Sequence, residues 1–381
     1  MSDLDSYRVD IDRIDNAIVE LFKERMSVSE KIGEYKRANG LPVLDRERER
    51  QKLFEVSQHF DDDLKNAGTQ LFSLLMEASR AHQHATSKTL SSTLELIDAT
   101  RSATAEFFPQ QAFVACQGVE GAYSQIAAER LFKHPNIIYF ESWDAVFKAI
   151  DEQMCRYGVI PLENSSAGTV NAVYDLMMNY DFNIVRTLRL KVDHSLLTRG
   201  QTDIDKLAIV YSHPQAIEQC SEFLAAHPQL RVHICDNTAV AAKRVAESER
   251  DDVCALSSRS CAEIYGLTTL AQSVQNNSNN YTRFACISKE PEIYPGADRT
   301  SLMMIVSHEP GSLYKVLSLF HSLEINLVKL ESRPIPERDF EFMFYFDLEC
   351  PVASPEFRTL LNSLDEVCEQ YRYLGSYQEL V

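Results

Sequence analysis

Residues 4–38 run LDSYRVDIDRIDNAIVELFKERMSVSEKIGEYKRA, and this stretch decides the fold of the N-terminal part of the chain. Apolar side chains recur in it at alternating steps of three and four residues, which is the spacing of one face of an α-helix. The members of this heptad series are Leu4, Tyr7, Ile11, Ile14, Ile18, Leu21, Arg25, Val28, Ile32 and Tyr35. Arg25 is the exception, and an unpaired buried cation costs on the order of several kcal/mol. The series predicts one long amphipathic helix whose apolar face carries a charge that needs a partner.

Helical geometry relates Arg25 to two other cations of the same helix. Lys36 lies eleven residues farther on, about 20° around the helix and roughly 16 Å along it, so both side chains can reach one small dianion. Arg8 lies seventeen residues before Arg25, about 25 Å away and rotated by roughly 100°. If Arg8 serves the same site, it must come from a second chain. A structural ion pair, or an arginine extended along the edge of a helix bundle, is the alternative explanation for Arg25.

The remaining pattern predicts a multidomain protein, as a chain of 381 residues favours. Two shorter helices follow, from near Asp45 to about His59 and over roughly 67–88, so residues 1–90 form an all-α domain of three helices. Residues 91–110 are predicted to be a linker, because the chain is rich in Ser and Thr around them.

Two further domains follow the linker. Residues 111–290 alternate short apolar runs with helical patterns, which predicts an α/β domain with largely parallel strands. Residues 299–378 show the order strand, helix, strand, strand, helix, strand, which is typical of a small α+β ferredoxin-like module.

Composition narrows the class of protein. The net charge of −18 argues against a general nucleic-acid surface. No apolar run approaches the ~18 residues that span a bilayer, and the first residues show no secretory leader. The nine cysteines are scattered without a Cys-x-x-Cys pair, which favours reduced, buried thiols in a cytoplasmic protein. We expect no metal, no cofactor, no membrane and no nucleic acid.

Short polar side chains follow several predicted strands of the middle domain. The segments are Gly118–Ser124, Leu162–Thr169, Tyr211–Gln215 and Asn280–Phe284. Hydroxyls, amides and N–H groups at helix starts bind oxygen-rich ligands, so these segments predict a substrate cleft. His213 could be a general base or an ordinary turn residue before a proline, and the sequence leaves this open.

The N-terminal domain resembles the all-helical chorismate mutases. The residues that match their active-site pattern in type and order are Arg8, Arg25, Lys36, Asp45, Arg48, Glu49, Ser79 and Gln83. Chorismate rearrangement needs no nucleophile, metal or proton transfer, so an enzyme holds the reactive conformer and stabilises charge on the breaking ether bond. The resemblance implies that Arg8 of a second subunit, Arg25 and Arg48 bind carboxylates, and that Lys36 and Gln83 donate to the ether oxygen as the catalytic pair. Asp45 and Glu49 would hold the ring hydroxyl, with Ser79 lining the pocket of an intertwined dimer.

The middle domain resembles prephenate dehydratases through its Glu-Asn-Ser, Ser-His-Pro-Gln and Thr-Arg-Phe segments. The resemblance implies two α/β lobes, like a periplasmic binding protein, and Thr282 as the catalytic hydrogen-bond donor to the leaving hydroxyl. The implied prephenate-binding residues are Asn164, Ser165, Ser212, Gln219 and Arg283. Arg283 could instead form a lobe-closing salt bridge. Glu163 in a partly desolvated cleft is our candidate for a stronger acid behind Thr282.

The C-terminal module resembles the ACT domains that accompany these enzymes. Its two motifs are Gly311-Ser312-Leu313-Tyr314, where Gly-Ala-Leu-Val is usual, and Glu331-Ser332-Arg333-Pro334. The implied ligand is phenylalanine, bound between paired modules as a feedback inhibitor. A plain dimerisation domain is the alternative.

The combined interpretation is a bifunctional chorismate mutase and prephenate dehydratase, a homodimer or higher homo-oligomer. One alternative keeps the fold and replaces prephenate by arogenate. Another is a non-catalytic amino-acid sensor, which would not explain why Arg8, Arg25, Lys36 and Gln83 are placed as they are. A fusion with a dehydrogenase is excluded, because the sequence has no dinucleotide-binding fingerprint.

Overall fold

The computed structural model describes residues 3–41, 45–85, 92–335 and 341–381. The chain divides into two compact units. The first unit comprises Met1–Leu96, Met304–Leu330 and Pro334–Arg372, and the second comprises Ile97–Met303, Glu331–Arg333 and Tyr373–Val381. Residues 86–88, predicted to end the third helix, lie outside the described residues, as does the first residue of the predicted linker.

The predicted N-terminal helices are present. They are α1 (Asp3–Ala38), α2 (Arg46–Ser57) and α3 (Lys65–Ala85). Asp45 precedes α2, and its carboxylate accepts a hydrogen bond from the Arg48 N–H at 3.0 Å, which satisfies one open donor of the first turn. Gly33 lets α1 approach α3 closely, because a Cβ at this position would lie 2.9 Å from Cγ of Gln83.

Most of the heptad series of α1 is exposed in the single chain. Its buried residues are Ser29 and Gly33. The large apolar side chains from Leu4 to Tyr35 remain in solvent, with Tyr7 67% and Leu21 65% exposed. The predicted apolar face therefore exists, and within this chain it has little to pack against.

The predicted linker contains a helix, α4 (Ser92–Ala103). Leu94 and Ile97 lie one turn apart and are 1% and 2% exposed. The abundance of Ser and Thr obscured this apolar pair, so the sequence analysis predicted a linker here without predicting the helix within it.

The second unit begins with a lobe of alternating strands and helices, which we call the first lobe. Its elements are β1 (Gln111–Gln117), α5 (Tyr123–Leu131), β2 (His134–Phe140), α6 (Trp143–Asp151), β3 (Tyr157–Asn164), β4 (Gly168–Thr169), α7 (Asn171–Asn179) and β5 (Asn183–Lys191). Apolar side chains of α5 and of the strands pack into one core, with Val114, Ala127, Tyr157 and Cys286 completely buried.

The chain then crosses into a second lobe and returns. The elements of the second lobe are β6 (Ser195–Thr198), β7 (Ile209–Ser212), α8 (Pro214–Gln219), α9 (Ser221–Ala226), β8 (Arg231–Ile234), α10 (Thr238–Ala246), β9 (Val253–Ser257), α11 (Ser260–Tyr265) and β10 (Thr268–Ala271). Its sheet has the order β10-β6-β9-β7-β8. The returning strand β11 (Tyr281–Ser288) inserts between β3 and β5 of the first lobe, giving the order β5-β11-β3-β1-β2.

The sheets are mixed, which corrects the prediction of largely parallel pairing. Strands β1, β2 and β3 pair in parallel, as do β7, β8 and β9. Strand β11 is antiparallel to both of its neighbours, and β6 is antiparallel to β9. The strands that pair antiparallel lie next to the two points where the chain passes from one lobe to the other. There the chain enters the next sheet directly, without the crossover helix that parallel pairing usually requires.

The C-terminal elements follow the predicted order. They are β12 (Arg299–Ile305), α12 (Ser312–Ser322), β13 (Asn326–Pro334), β14 (Phe342–Glu349), α13 (Pro355–Val367) and β15 (Gln370–Tyr377). The strands pair in the order β13-β14-β12-β15. A last short strand, β16 (Glu379–Leu380), pairs with β5 at the edge of the sheet in the first lobe.

Among the described helices, none combines the length and apolar character needed to cross a membrane.

Candidate active sites

A cavity of about 430 Å³ lies between the two lobes of the second unit. First-lobe residues such as Tyr123, Trp143 and Thr282 form one wall, and second-lobe residues such as His213 and Asn237 form the other. Among the described residues that line the cavity there is no Lys or Arg, and two, Glu141 and Asp236, are acidic. A ligand with carboxylates would have to be held here without a direct ion pair.

The starts of three helices reach the cavity. The cavity wall includes Ser124 of α5, Ser142 and Trp143 at the start of α6, and Asn237 and Thr238 at the start of α10. Unpaired N–H groups and the helix dipole make such positions favourable for anions. Their convergence from both lobes means that an anion could bridge the lobes.

The side-chain amide of Asn164 organises the catalytic wall of the cavity. Its Oδ1 accepts hydrogen bonds from the backbone N–H groups of Ser166 (3.0 Å) and Ala167 (2.9 Å). Its Nδ2 therefore faces the Thr282 hydroxyl at 2.9 Å and Oδ1 of Asn280 at 2.7 Å. Because Thr282 Oγ1 accepts this hydrogen bond, its own proton is left to donate elsewhere. Thr282 also lines the cavity, so that proton can point at a ligand.

A second layer of polar groups supports this arrangement. Nδ2 of Asn280 donates to Oε1 of Gln219 at 2.9 Å, and Nε2 of His194 lies 3.0 Å from the same oxygen. Gln219 and His194 both line the cavity. Burial lowers the pKa of His194, and burial likewise lowers the pKa of His213. His213 caps α8, with Nδ1 accepting the Gln215 N–H at 3.3 Å, and it also lines the cavity.

Arg283 and Glu163 lie on the opposite face of the sheet from Thr282 and Asn164. Arg283 is 4% exposed and ion-paired with Glu379 of β16 (2.8 Å), and it lies 3.6 Å from Glu163. Its Nη2 donates to the Tyr377 hydroxyl at 3.1 Å. Neither residue is among those that line the cavity, so its geometry does not favour Arg283 as a carboxylate ligand or lobe-closing bridge, or Glu163 as an acid behind Thr282, and these roles stay predictions. Successive side chains of a strand point to opposite faces, which separates each from its neighbour in sequence.

The two serines predicted to contact prephenate are used by the fold. The Ser212 hydroxyl is fully buried and donates to the Leu256 carbonyl at 2.7 Å. Ser165 accepts the Tyr281 N–H at 2.9 Å and donates to the Asn279 carbonyl at 3.2 Å. Neither is among the residues that line the cavity, so their predicted contact with prephenate stays a prediction that the cavity does not favour. The Ser165 hydroxyl ties the residues after β3 to the start of β11, from which Thr282 projects, and the Ser212 hydroxyl ties β7 to β9 in the second lobe.

Sequence reasoning missed Tyr123, Trp143, His194 and Asp236, which all line the cavity. Tyr123 begins a helix that the sequence did predict, in the segment Gly118–Ser124. His194 stands alone between two predicted elements and matches no motif. His194 is recognised as part of the site by its hydrogen-bond distance to Gln219 in the folded chain.

The first unit brings three residues of the predicted chorismate site together. The Arg25 guanidinium donates to the Ser79 hydroxyl and to the Leu75 carbonyl, the latter at 2.6 Å. Nε2 of Gln83 donates to the Ser29 hydroxyl at 2.7 Å. Burial lowers the pKa of Arg25, with a smaller opposite effect from the Glu49 carboxylate. The cation in the apolar series thus lies between α1 and α3 and is satisfied by neutral acceptors.

The other predicted residues of this site are placed less uniformly. Glu49 is ion-paired with Arg80, and Arg48 donates to Gln51 at 3.2 Å on an exposed face. Lys36 is half-buried. Arg8 is 69% exposed and lies 3.7 Å from Asp5, so the described chain does not bring it to Arg25.

The two C-terminal motifs lie in different surroundings. Residues 306–314 with Glu341, Phe342 and Phe344 line a cavity of about 590 Å³ in the first unit. Gly311 stands at the start of α12 with φ of +87°, a conformation that favours glycine. Glu331 accepts the Thr169 hydroxyl at 2.5 Å and Arg333 binds Asp175 bidentately at 2.7 and 2.8 Å, all within the second unit. Ser332 and Pro334 are exposed.

Comparison with known proteins assigns both catalytic regions. Residues 7–84 match the family described as chorismate mutase type II, and residues 114–292 match prephenate dehydratase. The bifunctional chorismate mutase/prephenate dehydratase of Escherichia coli K12 is 31% identical over 97% of this chain and 95% of its own. Arogenate dehydratase/prephenate dehydratase 2 of Arabidopsis thaliana is 37% identical over 69% of this chain and 72% of its own.

A solved structure shows the same fold. Prephenate dehydratase from Arthrobacter aurescens, determined in complex with L-Phe, matches with a TM-score of 0.64 at 21% identity, over 70% of this chain and 90% of its own. The N-terminal helical domain and the dehydratase-like α/β domain are thereby confirmed. The chain belongs to the bifunctional chorismate mutase/prephenate dehydratase family, and it converts chorismate to prephenate and prephenate to phenylpyruvate.

Proposed function

We propose that prephenate binds between the lobes of the second unit and that Thr282 donates a hydrogen bond to its departing hydroxyl. The observation that carries this is the hydrogen bond from Asn164 to Thr282, which leaves the threonine proton free to point into the cavity. In the reaction the bond from the ring to one carboxylate breaks and carbon dioxide leaves. The electron pair completes the aromatic ring and expels the hydroxide, which takes up a proton and departs as water. A donor aimed at that oxygen lowers the barrier as the charge develops.

Helix starts then hold the two substrate carboxylates. The first turns of α5, α6 and α10 line the cavity. Among the described residues that line it there is no Lys or Arg. Asn164 and Gln219, which line the cavity, stay the proposed polar contacts, whereas the lining of the cavity gives no support to contacts from Ser165, Ser212 or Arg283. We keep the proposed domains at residues 1–90, 111–290 and 299–378, with α4 inside the 91–110 connection.

Buried cysteines whose pKa is raised by burial, such as Cys116, suit a reducing cytoplasm.

Replacing the threonine tests this assignment. We expect Thr282→Val to lower dehydratase kcat by about 100-fold or more, the range typical of a lost proton donor. Thr282→Ser should retain most activity, because it keeps the hydroxyl. Mutase activity of the same protein is the internal control. Since Glu163 lies behind the sheet, Glu163→Gln should stay within a few-fold of the native dehydratase rate. A collapse of that rate would restore Glu163 as an acid.

The mutase site is proposed to lie between α1 and α3, with Arg25, Lys36, Ser79 and Gln83 from one chain. Arg8 would reach it from a second chain. Two observations support a dimer: the exposed apolar face of α1, and the distance of Arg8 from Arg25 on one helix. Arg48, Asp45 and Glu49 from α2 would complete the pocket.

Subunit complementation checks the shared site. Arg8→Gln and Lys36→Gln should each abolish most mutase activity. In a mixed dimer one site carries both changes and the other carries neither. Unfolding and refolding an equal mixture should therefore restore roughly a quarter of the native mutase activity, since half of the dimers are mixed and each has one intact site. If the mixture is no more active than its components, the site is made by one chain.

The contact of Gly33 with Gln83 offers a second test. A Cβ at Gly33 would lie 2.9 Å from Gln83 Cγ, so Gly33→Ala should displace this amide. Alanine favours a helix by about 1 kcal/mol over glycine, so the fold should persist. We expect mutase kcat to fall by about tenfold with dehydratase activity unchanged. Gly200→Ala, where nothing lies within 4 Å, is the matched control. Equal mutase rates in the two variants would remove Gln83 from the catalytic pair.

We propose that residues 299–378 form an ACT regulatory domain that binds phenylalanine. Its strand order and the cavity beside Gly311 and Phe344 support this. The second motif, from Glu331 to Pro334, would meet the first across paired domains. We expect phenylalanine to inhibit the dehydratase. Gly311→Ala, which strains a positive φ, should weaken inhibition several-fold at unchanged basal rate. Gly200→Ala serves again as control, and inhibition unchanged in Gly311→Ala would place the effector elsewhere.

A second candidate substrate is arogenate, which carries an ammonium group where prephenate has a ketone. The acidic residues Glu141 and Asp236 in the cavity favour it, because a carboxylate can pair with that ammonium. The relatives from Arabidopsis thaliana and Petunia hybrida named as arogenate dehydratases are both 37% identical to this chain. Comparing kcat/KM for the two substrates decides between them.

A further inference from the structure

The amide network behind Thr282 fixes the protonation of His194. Asn164 Oδ1 is held by two backbone N–H groups, so its Nδ2 must face Asn280 Oδ1. Asn280 Nδ2 then donates to Gln219 Oε1 at 2.9 Å. The same Gln219 oxygen lies 3.0 Å from His194 Nε2. Two acceptors cannot form a hydrogen bond. Nε2 of His194 therefore carries a proton and donates it to Gln219.

The other ring nitrogen shows that His194 is neutral. Nδ1 is buried, and no hydrogen-bond partner for it is found within the described ranges 3–41, 45–85, 92–335 and 341–381. A second proton there would bury an unsatisfied donor and a charge. The charged and titratable groups near the ring include Asp193, which raises its pKa, His213, which lowers it, and Tyr123, whose ring packs edge-on with centroids 6.1 Å apart. Burial has the larger effect and lowers the pKa, which agrees with the geometry.

The network ends at the reacting group. Gln219 Nε2 lies 3.4 Å from Asn164 Oδ1, and Asn164 Nδ2 donates to Thr282. Asn164, Asn280 and His194 are 5%, 1% and 3% exposed. In such a buried cluster the amides hold one another in place, so the loss of a donor at one end weakens the positioning of the groups at the other.

We propose that His194 is a positioning residue of the dehydratase: its Nε2–H holds Gln219 and, through the two asparagines, fixes the direction in which Thr282 donates its proton. This inference rests on the proposed role of Thr282. His194 itself transfers no proton.

A matched pair of amides tests the geometry. The Nε2 of a glutamine occupies nearly the position of the imidazole Nε2, whereas an asparagine is one methylene shorter and does not reach Gln219. We expect His194→Gln to keep dehydratase kcat within about threefold of the native enzyme. His194→Asn should lower kcat by about tenfold, equivalent to about 1.4 kcal/mol, with KM for prephenate changed less than twofold. The thermal midpoint and mutase activity of both variants establish that the chain is folded.

A double-mutant cycle separates positioning from an independent effect. If His194 acts through Gln219, adding His194→Asn to Gln219→Met should cause no further loss of kcat. Any of three results would overturn the inference. They are losses of kcat that multiply in the double variant, equal losses of kcat in His194→Gln and His194→Asn, and no loss of kcat in His194→Asn. Should His194→Asn not fold, a loss of tenfold in folded His194→Gln would overturn it as well. Thr282→Val run in parallel distinguishes the two proposals: full activity in that variant defeats both, whereas a large loss together with an additive cycle defeats only the role of His194.

Discussion

The alternation of side chains along β11 is the constraint on which the dehydratase site depends. This strand returns from the second lobe and inserts between β3 and β5, antiparallel to both. Thr282 therefore points into the cavity, and Arg283 points behind the sheet to Glu379. The buried ion pair behind the sheet also ties β11 to the last strand of the chain. A shift of one residue in register would put the arginine in the cavity and the hydroxyl in the core.

The two proposed sites would recognise their dicarboxylates by different physical means. The proposed chorismate site uses cations, and Arg25 is held there by neutral acceptors, a hydroxyl and a carbonyl, so that its charge is not cancelled before the ligand arrives. The proposed dehydratase cavity has no Lys or Arg among its described lining residues, and helix starts would take their place. This difference suits the chemistry. One carboxylate of prephenate must lose its charge as carbon dioxide leaves, and a tight ion pair to that group would stabilise the ground state and raise the barrier.

The sequence could predict those features that leave a periodic pattern of residues, and it could not predict those that leave none. The long helix α1 and the exclusion of Arg8 from the site of its own chain follow from 3.6 residues per turn, and they needed no tertiary information. The sequence could not show that Glu163 and Arg283 point away from the cavity, because adjacent residues of a short motif lie on opposite faces of a strand and only the register shows which face is the cavity. Nor could it show that the Ser212 hydroxyl donates to the carbonyl of a residue 44 positions farther along the chain. No sequence pattern marks His194, because its proposed role depends on the side-chain amide of Gln219, which is distant in the sequence.

The exposed face of α1 and the isolation of Arg8 lead independently to one inference about assembly. Burying one large apolar side chain contributes about 1.5–3 kcal/mol, and Tyr7, Ile11, Ile18 and Leu21 are all more than half exposed in the single chain. A lone chain would forgo this stabilisation and present a long apolar stripe to solvent. A second copy of α1 would cover the stripe, and because Arg8 lies near one end and Lys36 near the other, an antiparallel partner would bring its Arg8 toward the site that the first chain leaves incomplete. Folding of the N-terminal domain and completion of its active site would then be one event, so a change that prevents dimerisation would remove mutase activity even with every catalytic side chain intact.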